Sequence, residues 1–222
     1  MDFEFKAIDH SNLGELVYQN IANALMKGAL RPDDRLKIRD LAQKMGTSVT
    51  PVRDAILRLV QDGALLLKSP RDIRVPILRH DQYLEIRTIR LQLEGLAAEG
   101  AARRARPADI ERLAALVADN ERAFAEQDYA RATELNQIFH FELANIAEMP
   151  ILRGILRNLW LQMGPVISAA YEVGGRTMID HHYDVLDAIR RRDPAAARKA
   201  IREDILSGGG VILKHNILSR DV

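Results

Sequence analysis

Four side chains in the second half of the chain, Asn136, His140, His182 and Asp204, are of types that bind metal ions or carry protons. Asn136 and His140 stand four residues apart, which places them on one face of an α-helix. Thr133 and Leu143 share that face, so it points inward. His182 is flanked at helical spacing by Ile179, Val185, Leu186 and Ile189, while Asp204 lies one turn from Ala200 and beside Ile201 and Ile205. Polar groups turned inward from three helices are costly unless they pair or ligate something. Nitrogen and oxygen donors without thiolates suit zinc, nickel, manganese or iron. Two readings stay open on these residues: a metal-binding cluster, or a polar core in which neighbours satisfy each histidine. Two histidines and a carboxylate also match the ligand count of non-haem iron oxygenases, and a metal with an open position activates water. A metal-dependent enzyme is therefore the alternative function. The chain offers no GxSxG nucleophile motif and no Gly-rich phosphate loop beside that cluster, so no enzymatic activity is expected.

A second group of residues suits nucleic acid. In the run Ile38–Gly63, Ile38, Leu41, Ala42 and Met45 mark one face of a short helix, and Gly46 supplies a break. A second helix follows, with Ser48 or Thr50 as its cap and Pro51 in its first turn. It buries Val52, Ala55, Ile56, Leu59 and Val60 and exposes Thr47, Ser48, Thr50, Arg53 and Asp54 near its start. Helix, glycine turn and polar-tipped helix make a helix-turn-helix, whose second helix enters the DNA major groove by its N-terminal residues. Lys37, Arg39, Arg53, Arg58, Lys68, Arg71 and Arg74 concentrate positive charge in this half. Arg71 and Arg74 fall in a β-hairpin between Ala64 and Val75, from which they reach phosphate.

The elements that must position these residues are mostly helical. A winged helix-turn-helix, residues 1–76 with an N-terminal arm over 1–11, is expected to precede an antiparallel helical bundle, residues 77–222. Val75-Pro76 ends the wing in extended geometry. Beyond it the spacing predicts a helix from His80 or Asp81 to about Ala105, with Tyr83, Ile86, Ile89, Leu93 and Leu96 on its inner side. Further helices open at Pro107, at Asp128 as cap, at Pro150, near Thr177 and at Pro194. Gly208-Gly209-Gly210 in the last one either ends or kinks it, or admits a close neighbour.

The formal net charge of +1 over 222 residues excludes a globally basic nucleic-acid binder but not a local basic patch. There is no cysteine, hence no disulfide and no thiolate metal site. No apolar run approaches the roughly 20 residues that span a bilayer, and the first ten residues do not resemble a signal peptide, so a cytoplasmic protein without membrane contact is expected.

The segments LRPDDRLKIRDLA, TSVTPVRDAILRLVQDGAL and LLLKSPRDIRVP, preceded by a first helix over Leu16–Ala29, resemble the GntR family of bacterial transcription regulators. The remainder resembles its FadR subfamily, with the all-helical FCD effector domain. The resemblance implies operator contacts by Arg39 and Arg53, with hydroxyl contacts by Ser48 and Thr50. Two positions depart from the family: Val49 stands where most members have arginine, and Asp72 where the wing tip has glycine. They motivate a further alternative, a helical interaction protein that no longer binds DNA. In the bundle, the resemblance implies metal ligation by Asn136, His140 and His182, with Asp204 where the family has histidine. It also implies that an arginine near Arg87 and Arg90 meets the carboxylate of an organic acid; an Arg90–Glu94 pair at i, i+4 is the competing reading. The implied protein is a homodimeric, ligand-responsive regulator, usually a repressor, acting on a palindromic operator.

Overall fold

The computed structural model describes residues 13–69, 71–215 and 217–219; the expected N-terminal arm lies outside them. Helix α1 (Leu13–Met26) is followed by strand β1 (Arg35–Leu36), helices α2 (Ile38–Lys44) and α3 (Val49–Gln61), and strands β2 (Leu66–Ser69) and β3 (Asp72–Arg74). Six further helices follow: α4 (His80–Arg104), α5 (Pro107–Ala125), α6 (Tyr129–Ile146), α7 (Pro150–Gly174), α8 (Asp180–Arg190) and α9 (Pro194–Lys214). A 3-10 turn over Gly175–Met178 links α7 to α8.

Helix α1 ends at Met26, three residues before the expected Ala29, because Gly28 turns back at φ 68° and the Gly28 and Ala29 amides close onto Leu25 and Ala24. The α2–α3 turn forms as its glycine predicts. Gly46 has φ 63°, and the Thr47 amide donates to the Ala42 carbonyl at 2.9 Å. Ser48 is the cap residue of α3, but its side chain makes no capping bond.

The sheet has one strand more than the sequence reading, which places β structure only between Ala64 and Val75. Strand β1 pairs antiparallel with β3, Leu36 opposite Ile73, giving the order β1-β3-β2. Two residues are too few to show an alternating pattern.

The inner face of α4 also differs from expectation. Tyr83 and Ile86 are buried, but Ile89 and Leu96 are exposed. The buried stripe runs instead through Arg90, Glu94, Ala97, Ala98 and Ala101. Small alanines let α9 and α6 approach α4 closely, and the two charged residues face each other between helices. Helix α9 passes through its three glycines without ending. Of the open readings of that triplet, close approach is the one realised: a Cβ on Gly209 would fall 2.5 Å from the Tyr83 hydroxyl of α4.

Candidate functional site

Helices α4, α6, α8 and α9 bring the inward polar residues to one place. His140 of α6, His182 of α8 and Asp204 of α9 are all buried, and a donor atom of each lies within 4.8 Å of the others. His140 Nε2 is 3.3 Å and His182 Nε2 3.5 Å from the two Asp204 oxygens. His182 Nε2 has no hydrogen-bond partner, although the residue is 1% exposed. Its ring lies 4.4 Å from that of Phe139. Asn136, one turn before His140, lines the adjoining cavity together with Tyr83, Arg90, Met178, Gly208 and Gly209.

Behind His140 stands a residue that the spacing argument treats only as an i, i+4 partner. Glu94 of α4 accepts from His140 Nδ1 with one oxygen. Its other oxygen accepts from Arg90 Nε at 2.5 Å and from Trp160 Nε1 of α7 at 3.3 Å. Burial alone would raise the Glu94 carboxyl, but the charges of Arg90 and His140 hold it down at about 2. Burial works against a charged His140, and Glu94 and Asp204 outweigh it, raising that imidazole to about 9. His182 is pushed down to about 4 by burial, which Asp204 only partly opposes. Asp204 would rise on burial but is held below the usual carboxylate range by the two imidazoles it faces. The result is a buried chain Arg90–Glu94–His140–Asp204 of alternating charge, ending on a neutral imidazole with an unsatisfied nitrogen. That donor set fits a divalent cation: a deprotonated His182 aimed at a carboxylate, an amide within the same pocket, and a second histidine that would give up its Nε2 proton when an ion binds. The residues able to hold an ion are His140, His182 and Asp204, with Asn136 beside them.

The predicted effector arginines differ in their surroundings. Arg90 borders the cavity, but its guanidinium is committed to Glu94 and lies 4.6 Å from the Trp160 ring centroid. Arg87 lies against Tyr83 and Gly209, and its Nε is buried without a partner.

On the first half of the chain, Arg39 of α2 and Arg53 of α3 border one groove with Arg35, Lys37, Val49 and Arg71. Arg39, Arg53 and Arg71 are exposed and carry no ion pair among the described residues. Ser48 and Thr50 are exposed at the start of α3, beside the half-buried Val49. Arg74 is placed otherwise: it is half-buried, 3.0 Å from Asp72 and 2.9 Å from Asp33. The Asp72 carboxylate that replaces a wing glycine is thus turned onto Arg74, with Arg35 at 3.6 Å. Arg35 is the basic residue that the sequence reading passes over. It sits on the two-residue strand β1 and donates to the Arg71 carbonyl at 2.8 Å, tying the first strand to the wing tip.

Residues 13–75 match the bacterial regulatory proteins of the gntR family, and residues 85–207 match the FCD domain. The HTH-type transcriptional regulator McbR of Escherichia coli K12 is 31% identical over 198 residues, covering 87% of this chain and 90% of that protein. The Exu regulon transcriptional regulator of Escherichia coli K12 is 29% identical over 210 residues, covering 83% and 80%. The solved structure of E. coli McbR/YncC superposes with a TM-score of 0.85 at 29% identity, covering 92% of this chain and 99% of that one. A putative GntR regulator from Rhodococcus sp. RHA1 shares the fold at a TM-score of 0.76 and 20% identity. No helix among the described residues is long and apolar enough to cross a membrane. With a basic groove on its helix-turn-helix, and relatives that are regulators rather than enzymes, the chain belongs to the GntR family: it is a transcription regulator with an FCD domain.

Proposed function

We propose that this regulator is a homodimeric repressor released from a palindromic operator by a small organic acid, which binds beside a divalent metal ion in the helical half. The observation that carries the reading is the convergence of His140, His182 and Asp204 from three helices, with the His182 Nε2 left unpartnered in a buried site. Unsatisfied buried polar atoms are rare and call for a missing partner. A bound cation would offer a coordination position to a carboxylate. Manganese and zinc suit the site best, because Asp204 and Asn136 make it richer in oxygen than a histidine-only set. Arg87, unpaired at Nε and next to the cavity wall at Tyr83 and Gly209, would take the far end of the acid.

The DNA contacts we assign are Arg39 and Arg53 in the groove, Ser48 and Thr50 at the start of α3, and Arg71 at the wing. Arg74 supports the wing through its ion pairs. One chain presents one recognition helix, so a two-fold dimer would present two to the half-sites of a palindrome. Ligand entry lowers operator affinity only by preferring the arrangement in which the two heads no longer match those half-sites.

The test is elemental analysis of the purified protein never exposed to chelator, paired with the His182→Ala variant. About one transition-metal ion per chain in the wild type, lost in the variant, is the expected result. A metal-free wild type that takes up none on titration overturns the metal reading. The site would then be a polar pocket in which Asp204 pairs with His140, and the acid would meet Arg87 without a metal.

A further inference from the structure

We infer that Glu94 is a positioning residue for the metal site, selecting which nitrogen of His140 faces Asp204 and His182. The inference rests on reading that cluster as a metal site. Glu94 is 1% exposed and placed where α4, α6 and α7 meet. One oxygen is taken by Arg90 and Trp160, and the other by His140 Nδ1. The Arg90 pair is made through Nε to the first oxygen, and the second oxygen is given to the imidazole. Here the second oxygen fixes the rear of the imidazole, so Nε2 is the nitrogen that meets Asp204 at 3.3 Å. His140 has few other polar constraints: its ring otherwise meets Trp160, His182 and Phe139 by ring contacts. A hydrogen-bonded partner on the far nitrogen is the general means of holding a ligating histidine in one orientation, and its loss weakens metal binding about 10- to 100-fold. Arg90 and Trp160 act through Glu94, one by charge and the other by its indole N–H, so Arg90 serves the site from behind rather than by touching an effector.

Two variants test this. Glu94→Gln keeps the shape and removes the charge. The double variant Arg90→Met/Glu94→Leu removes both charges, so neither is left buried without its partner. The probe is zinc alone, read by competition with a chromophoric chelator, together with long-range proton–nitrogen NMR of His140 in the metal-free and zinc-loaded protein. The expected result is one zinc per chain throughout, at an affinity about 10- to 100-fold lower in both variants. The His140 Nδ1–H signal present in the wild type would be lost in the double variant. A double variant that folds, keeps that signal and binds zinc like the wild type overturns the assignment. So does wild-type protein whose zinc sits on Nδ1. If the wild type binds no zinc, the metal reading fails, while the Nδ1–H signal in metal-free protein still decides the role of Glu94 in orienting the ring.

Discussion

Single residues divide this protein's basic side chains into those free to meet DNA and those already engaged. Arg53 points from the first turns of α3 into a groove shared with Arg39 and Arg71, whereas Arg74 is held by Asp33 and Asp72. Arg53→Ala is expected to weaken operator binding by about 1–3 kcal/mol, the range for an arginine reading a base edge. Arg71→Ala should weaken all sequences alike and reduce the slope of log affinity against log salt by about one, as loss of one phosphate contact does. Arg74→Ala should leave that slope unchanged, because a guanidinium between two carboxylates releases no counterions on binding. Anisotropy titrations of labelled operator at several salt concentrations separate the three. An Arg74→Ala slope as shallow as that of Arg71→Ala would show that its pairs open on DNA. The sequence made these arginines visible but not their engagement, since Asp33 lies 41 residues from Arg74. The same reason hid Glu94, 46 residues from the histidine it orients.

Among the helices, α9 shows how identical residues do different work. A methyl group added at Gly210 would have nothing within 4 Å, while one added at Gly209 would lie 2.5 Å from the Tyr83 hydroxyl and 3.1 Å from Arg87 Cδ. Gly210→Ala should therefore stabilise the protein by about 0.5–1 kcal/mol, the gain in helix propensity. Gly209→Ala should destabilise it by about 1–3 kcal/mol, because crowding of a close-packed α4–α9 contact outweighs the same gain. Thermal melts of the two variants should move in opposite directions; a rise in both would mean that Tyr83 and Arg87 yield freely. Much at this scale was legible in the chain. Pro107, Pro150 and Pro194 open helices in their first turns, and Asp128 caps α6 by accepting from the Arg131 amide. The inner face of α4 was not legible, because counting large apolar residues selects Ile89 and Leu96. The face that packs is made of alanines with Arg90 and Glu94, and a charged pair that neutralises itself does not register as core.

The molecule as a whole is less divided than its two-part sequence suggests. Buried apolar residues from Val17 of α1 to Ile212 of α9 join in one continuous cluster. Helix α1 lies so close against α7 that a methyl group on Gly164 would come within 2.7 Å of Met26 Cα and nearer still to the Leu25 carbonyl oxygen. Lys27 pairs with Glu134 and Arg31 with Glu172, each at 2.5 Å, across the same boundary. The linker itself is tied down, because the Ser219 amide donates to the Leu78 carbonyl at 2.9 Å. A helix-turn-helix swinging on a free tether would unfold independently of the bundle, whereas one sharing a core unfolds with it. Calorimetry of the metal-free wild type should accordingly give one transition, with equal calorimetric and van't Hoff enthalpies once dimer dissociation is included; two resolved transitions would refute the shared core. Gly164→Ala sets a side chain against backbone rather than against a flexible tip, so relief requires α1 to move off α7. The expected outcome is a loss of about 1–3 kcal/mol, with the single transition broadening or splitting. The same contact joins the two halves: α1 meets α7 through packed backbone at Gly164, and α1 packs directly on α3, which carries Arg53.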